Sequence, residues 1–282
     1  MAARRPRPGR DCPAVLVMEH SLVRARTVRE LPEGLVDGAE ALWRALADSG
    51  RPVAVWEAAL RQALPMGVVK VLVSELVHAG LAELSGPRPV RALLEAASDG
   101  QGGERADTGL DVVKLVVAGG PCAGTTTLLG ALSQSPPVAV GERLPAPGGR
   151  VITVVREFGR LALGGVDVAL VAACLPSRGF SGGCDLELWR GAAGAVVVAH
   201  PARVEEARPA VAAVGQRGLP HVVAVNTFAG VPLPAPDRVR GLLRTGGGVP
   251  VVLLDARSPS SARFLVKDAL RHAARTPAGG VR

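Results

Sequence analysis

A chain of 282 residues, 48% of them apolar, has the length for about two domains and the material for a sizeable buried core. Its net charge of +8 rests on Arg rather than on Lys, which occurs only at Lys70, Lys114 and Lys267; the excess is spread along the chain, so it permits nucleic acid or an acidic lipid surface as a partner without pointing to either. No apolar run approaches the ~20 residues that span a bilayer, and Cys12, Cys122, Cys174 and Cys184 form neither a C-x-x-C pair nor a metal-ligand pattern with His, which argues against a zinc site and for free thiols in a reducing, cytoplasmic setting.

Residues 1–30 carry seven Arg and no clear periodicity, and read as a basic, disordered arm. The apolar stretch 13–18 inside it is too short for a signal peptide. Residues 31–86 read as a small α+β domain: helices over 39–47, 55–64 and 68–79, and a strand over 81–84. Pro65-Met66-Gly67 turns the chain into the third helix and Gly80 stops it. Helix, turn, helix, short strand is a winged-helix-like pattern. A helix that reads DNA needs Arg, Asn, Gln or Lys toward the groove. The third helix offers only Lys70, Ser74, Glu75 and His78, so specific DNA binding is not expected. Trp43 and Trp56 fall at helical positions and read as core. Residues 87–110 are rich in Gly, Pro and charge, with one apolar patch at 90–97, and read as a linker.

From 111 to 275 strands alternate with helices, and 276–282 reads as a disordered tail. Strands are expected at 112–118, 152–155, 166–174, 195–199, 221–226 and 249–254, and helices at 125–134, 203–216, 236–244 and 260–275. Continuous apolar strands separated by helices predict a mostly parallel sheet covered on both faces. Ligands of such sheets sit beyond the carboxyl ends of the strands.

The first of these strands runs into Gly119-Gly120-Pro121-Cys122-Ala123-Gly124-Thr125-Thr126-Thr127. Its spacing is that of a phosphate-binding loop, G-x-x-x-x-G-K-[ST], which follows a strand and opens a helix. Glycines let the backbone wrap a phosphate, and the helix start adds a positive dipole end. Thr126 stands where a hydroxyl holds Mg²⁺, but Thr125 takes the place of the lysine. Further on, Asn226-Thr227-Phe228-Ala229 stands where a guanine-reading N-K-x-D would be; Asn226 is present and Ala229 replaces the Asp. Asp255-Ala256-Arg257 ends the last strand. It reads either as a base-capping loop or as a strand-ending Asp that caps the helix after Ser258.

Residues 111–275 resemble the GTP-binding protein of actinobacterial conservons, a Ras-like P-loop family. The runs that carry the likeness are Lys114-Leu115-Val116-Val117-Ala118-Gly119-Gly120, Glu157-Phe158-Gly159-Arg160, Arg190-Gly191-Ala192 leading into Val196-Val197-Val198, Arg217-Gly218-Leu219-Pro220, Val223-Ala224-Val225-Asn226 and Asp255-Ala256-Arg257. Residues 21–84 resemble the small protein usually encoded beside that GTPase, through Leu22-Val23-Arg24 and the run from Leu64-Pro65-Met66-Gly67 to Ala79-Gly80-Leu81. The resemblance implies a fusion of two conservon neighbours, with GTP and Mg²⁺ as ligands. It implies sensor kinase-like and roadblock-type proteins as partners, through which the chain would reach a membrane. The basic arm offers a transient contact to an acidic membrane surface of its own.

The chain departs from that family where chemistry is done. Cys174-Leu175-Pro176-Ser177-Arg178 stands where the family's switch segment reads F-G-T-P-G-Q, so Ser177 and Arg178 replace its Gly and its water-orienting Gln. Thr153, by the same resemblance, remains a second candidate for Mg²⁺. Arg143, Arg150, Arg156 and Arg178 are the arginines available to stand in for the lost lysine. The expected function is a degenerate GTP-binding signalling protein that docks partners, with nucleotide binding weak or absent and no catalytic residue assigned. A slow but functional GTP switch and a winged-helix DNA-binding regulator are the alternatives.

Overall fold

The computed structural model describes residues 21–28, 31–32, 34–85, 112–146, 150–163, 166–174 and 188–276. The chain divides into two compact units, with the break after Leu84.

In the first unit, left-handed Gly38 leads into α1 (Ala39–Asp48), which buries Ala39, Leu42 and Leu46 at helical spacing. Strand β2 (Val53–Ala54), helix α2 (Val55–Arg61) and helix α3 (Met66–His78) follow, and Gly80 at φ +71° turns the chain into β3 (Ala82–Ser85). Leu42, Leu46, Val55, Val69, Leu72, Val73 and Leu76 form one core with Val23. Half-buried Trp43 packs against this core and donates its indole N–H to the Leu81 carbonyl at 3.1 Å, and Trp56 is buried. The strand order β2-β1-β3 corrects one expectation. Strand β1 (Leu22–Ala25), inside the stretch read as a disordered arm, is the middle strand of this sheet, with Leu22 and Val23 fully buried. Four residues among arginines were too short a run to show a period.

The second unit begins with β4 (Val112–Gly119), buried along its whole length, and α4 (Thr125–Leu132). Then come β5 (Val138–Ala146), β6 (Arg150–Leu163), β7 (Val166–Cys174) and β8 (Ala192–Ala199). A 3₁₀ turn at Val204–Ala207 runs into α5 (Arg208–Gln216), followed by β9 (His221–Asn226), α6 (Pro236–Leu243), β10 (Val251–Leu254) and α7 (Pro259–Arg275). The sheet order is β10-β9-β8-β4-β7-β6-β5, parallel from β10 through β7 and antiparallel across β6 and β5. Leu115, Val117, Leu170, Val196 and Val198 pack with Leu128, Leu129, Leu132, Leu265 and Val266 of α4 and α7. Val197, Val223 and Val225 alternate with that set and are buried too, so both faces of the sheet are covered. This is a Ras-like P-loop α/β architecture, mostly parallel, with one extra edge strand.

That extra strand is the feature that sequence reasoning missed. β5 contains Gly141, Glu142, Arg143 and Pro145, a run with no clean alternation, and Pro is tolerated there because the strand lies at an edge. β6 is correspondingly longer than the four residues expected at 152–155. The linker 87–110 with its apolar patch, the segment 175–178 and the tail from 277 lie outside the described residues. Among the described residues no helix is long and apolar enough to cross a membrane.

Candidate functional site

The loop between β4 and α4 lies beyond the carboxyl end of the sheet's central strand, where parallel sheets bind ligands. Its glycines answer first to the protein itself. A Cβ on Gly119 would stand 2.7 Å from the Val198 carbonyl oxygen and 2.9 Å from Thr125 Cγ2. Gly124 sits at φ +100°, and a Cβ there would collide with Asn226 Nδ2. Gly120 is buried against the backbone of Glu206, Pro121 is half-buried and Ala123 is buried. Cys122 is exposed at φ +55°, an uncommon conformation for a residue with a side chain.

A cleft of about 510 Å³ opens beside this loop. Cys122, Gly124, Thr125, Thr126 and Thr127 form its floor, Cys174 one side, and Asn226 through Ala229 with Ala256 and Arg257 the other. The motif segments named from the sequence therefore meet in one place. Gly119, Gly120, Pro121, Ala123 and Asp255 support the cleft without lining it. A second groove of about 530 Å³ between the 3₁₀ turn, the 231–234 loop and α6 holds none of the motif residues.

Two polar side chains of the cleft, Asn226 and Thr126, are paired within the protein. Asn226, 4% exposed, donates from Nδ2 to the Ala123 carbonyl and accepts at Oδ1 from the Ala256 N–H, both at 3.0 Å. One amide thus ties the phosphate loop to the loop after β10. Thr126 donates its hydroxyl to Glu157 Oε2 at 2.8 Å. Thr125, at the lysine position, is 7% exposed, and Ala229 is exposed and has no polar side chain to offer.

Asp255 corrects an alternative raised by the sequence. Ser258, not Asp255, caps α7: its hydroxyl accepts from the Ser261 N–H. Asp255 instead accepts from the Arg257 N–H at 3.0 Å and pairs with the Arg257 guanidinium at 3.4 Å, which fixes the cationic side chain bordering the cleft. Thr153 lies in β6, four residues or about 13 Å along the strand from Glu157. Glu157 is the β6 residue that meets Thr126. Sequence reading quoted Glu157 only within a matching run; its signal was the one acid in a strand whose other charged residues are Arg150, Arg156 and Arg160.

Burial raises the Cys174 thiol above its ordinary pKa, and the nearby Cys122 and Glu157 push it the same way, so it stands neutral at pH 7. His200, at the end of β8, stacks on Phe228 with ring centroids 4.5 Å apart. Partial burial and Arg203 lower its pKa, partly offset by Glu206. A stack with a neutral imidazole steadies the loop that carries Ala229. Among the described residues no group of three or more His, Cys, Asp or Glu is arranged to hold a metal.

No protein-family model matches the chain, and no curated protein is similar to it. Solved structures are similar in fold. The G domain of the T. maritima FeoB iron transporter is 18% identical with a TM-score of 0.41, covering 58% of this chain and 99% of that one. The Methanococcus jannaschii FeoB G-domain is 16% identical with a TM-score of 0.40, covering 58% and 98%. The cytosolic domain of L. pneumophila FeoB is 19% identical with a TM-score of 0.42, covering 60% and 68%. At such identities no residue's role passes from one chain to the other.

Proposed function

We propose that this chain is a degenerate GTP-binding signalling module, one that keeps the phosphate-loop architecture, holds nucleotide weakly or not at all, and works by docking partners. The observation that carries the reading is the state of the cleft. Thr126 and Asn226 are paired inside the protein, and the two positions that should carry charge hold Thr125 and Ala229. A charge-assisted hydrogen bond is worth about 1.5–3 kcal/mol. Losing the lysine–phosphate and aspartate–guanine contacts removes about 3–6 kcal/mol, roughly 10²–10⁴ in affinity.

The cation is a separate question from the phosphate. Thr126 Oγ1 and the Glu157 carboxylate are hard oxygen donors of the kind Mg²⁺ takes, whereas no lysine meets the phosphate. When bound, Mg²⁺ would neutralise phosphate charge. The chain's own contribution is to hold these two oxygens together at the start of α4.

Partner docking also suits the first unit. The exposed face of α3 presents Val68, Val71 and His78, with exposed Leu60 on neighbouring α2, and these are poor base readers. By the resemblance to conservon proteins, the partners are sensor kinase-like and roadblock-type proteins, and any membrane association runs through them.

The test restores what is missing. Thr125→Lys with Ala229→Asp returns one phosphate and one guanine contact and is expected to raise GTP affinity at least about tenfold. Lys at 125 removes the Cγ2 branch that lies over Gly119 and extends toward the cleft. Millimolar GTP should leave the melting temperature of the unaltered chain unchanged and raise that of the double variant, because only a ligand that prefers the native state stabilises it. Micromolar GTP binding by the unaltered chain, with no gain in the variant, rejects the reading in favour of a functional switch.

A further inference from the structure

The strand register places an acid beside a cleft whose lining, among the described residues, holds none. In P-loop NTPases the metal is held by the loop Ser or Thr together with an acid on a neighbouring strand. Of the two strands beside β4, β7 is the one toward β6, and its last residue, opposite Gly119, is Cys174, a thiol rather than a carboxylate. Glu157 of β6 stands directly opposite Ala172 of β7. Side chains alternate along a strand, so Ala172 and Cys174 share a face, and Glu157 shares it with them. Ala172 packs in the core with Leu128 and Leu129 of α4, which identifies that face as the one under the phosphate-loop helix. Glu157 therefore reaches the start of α4 from one strand further out, and its Oε2 accepts the Thr126 hydroxyl at 2.8 Å.

We infer that Glu157 supplies, from β6, the metal-facing carboxylate missing at the end of β7, so that the cleft takes a phosphate ligand only as its divalent-metal complex. The inference rests on reading the cleft as a weakened phosphate site. Its physical basis is the sign of the charge. With Thr125 in the lysine's place, a metal-free di- or triphosphate approaching α4 meets the Glu157 carboxylate with no cation on the loop to offset it. A divalent cation between carboxylate and phosphate turns that repulsion into attraction, and Thr126 is already positioned to become its second oxygen ligand. Arg257, a cation that lines the cleft, pairs with Asp255.

The experiment uses the full chain carrying Ala229→Asp, which returns the guanine contact while Thr125 keeps the lysine's place, and follows a fluorescent GTP analogue and inorganic triphosphate in Mg²⁺ and in EDTA. Each is repeated with Glu157→Gln and Glu157→Asp added. The expected result is a Mg²⁺-to-EDTA affinity ratio of at least about tenfold, lost in Glu157→Gln and kept in Glu157→Asp. Mn²⁺ added with triphosphate should give a protein-bound resonance signal that Glu157→Gln abolishes. A ratio that Glu157→Gln leaves unchanged, or no binding by the rebuilt chain at millimolar ligand in either condition, overturns the inference. The two readings fail separately. Tight GTP binding by the unaltered chain rejects the weak-nucleotide reading whatever Glu157 does, whereas an unchanged metal ratio rejects the role of Glu157 and leaves that reading standing.

Discussion

Replacing Asn226 by alanine removes a side chain that joins the phosphate loop to the loop after β10. Two hydrogen bonds go with it, each contributing about 1 kcal/mol net. The larger loss is what remains behind. Ala123 and Ala256 are each 1% exposed, so the Ala123 carbonyl and the Ala256 N–H lose their partner out of reach of water. Each of these two buried unpaired groups costs about 1–3 kcal/mol, which puts the whole change near 2–6 kcal/mol. At a urea dependence of about 2 kcal/mol per molar, the unfolding midpoint should fall by about 1–3 M. Because the chain has two units, the midpoint is to be read by hydrogen exchange on peptides from residues 188–276 rather than by a whole-chain signal. Asn226→Asp should be as harmful, since a carboxylate keeps the acceptor for Ala256 but places an acceptor against the Ala123 carbonyl. A loss below about 0.5 kcal/mol, the size of an ordinary surface substitution, refutes the argument that Asn226 is a structural tie.

GTP turnover should not exceed the no-enzyme background; turnover that is clear and that Thr126→Ala abolishes contradicts this. DNA binding should be non-specific and salt-sensitive, carried by Arg4, Arg5, Arg7 and Arg10 ahead of β1, and a gel shift with one preferred sequence that survives deletion of residues 1–19 at physiological salt overturns it. The second unit should lose stability in mild acid. Burial lowers the pKa of His221, whose Nε2 is buried without a hydrogen-bond partner, and burial, His221 and Arg275 lower that of His272. The unfolded chain then takes up protons first, so the stabilisation is complete above about pH 6.5 and is lost as the pH falls toward the folded-state values. His221→Gln should flatten the dependence of the unfolding midpoint between pH 7.5 and 5.5, and an unchanged slope counts against the assignment.

Much of the second unit was legible because its strands are apolar runs with clear ends. The bounds of β7 and β9 coincide with those expected, and β4 differs only in the addition of Gly119. The phosphate loop could be read from spacing alone, because the turn geometry constrains residue type locally. What escaped was set by partners distant in sequence. β1 owes its place to a sheet whose other strands begin some thirty residues later. β5 is held by its ladder to β6 and not by its own composition. Glu157 acquires a role from a register and from Thr126, thirty-one positions away. Asn226 was identified as a site residue, but its use as an internal brace depends on Ala123 and Ala256, which no local pattern displays.

The β5–β6 hairpin bears on whether the second unit can change shape at all. GTP-driven switches work because a segment beside the phosphates is ordered by the γ-phosphate and released on hydrolysis. Here the chain that leaves α4 is laid into the sheet, paired from Val138 opposite Phe158 to Ala146 opposite Arg150. Releasing it means breaking a continuous ladder. To carry a two-state equilibrium from 1:99 to 99:1, a ligand must favour one state by about 5.5 kcal/mol, more than a weakened cleft has to offer. On the proposed reading, a protein built this way would convey information by abundance: partner occupancy would rise hyperbolically with its concentration, along the same curve whichever guanine nucleotide fills the surrounding solution.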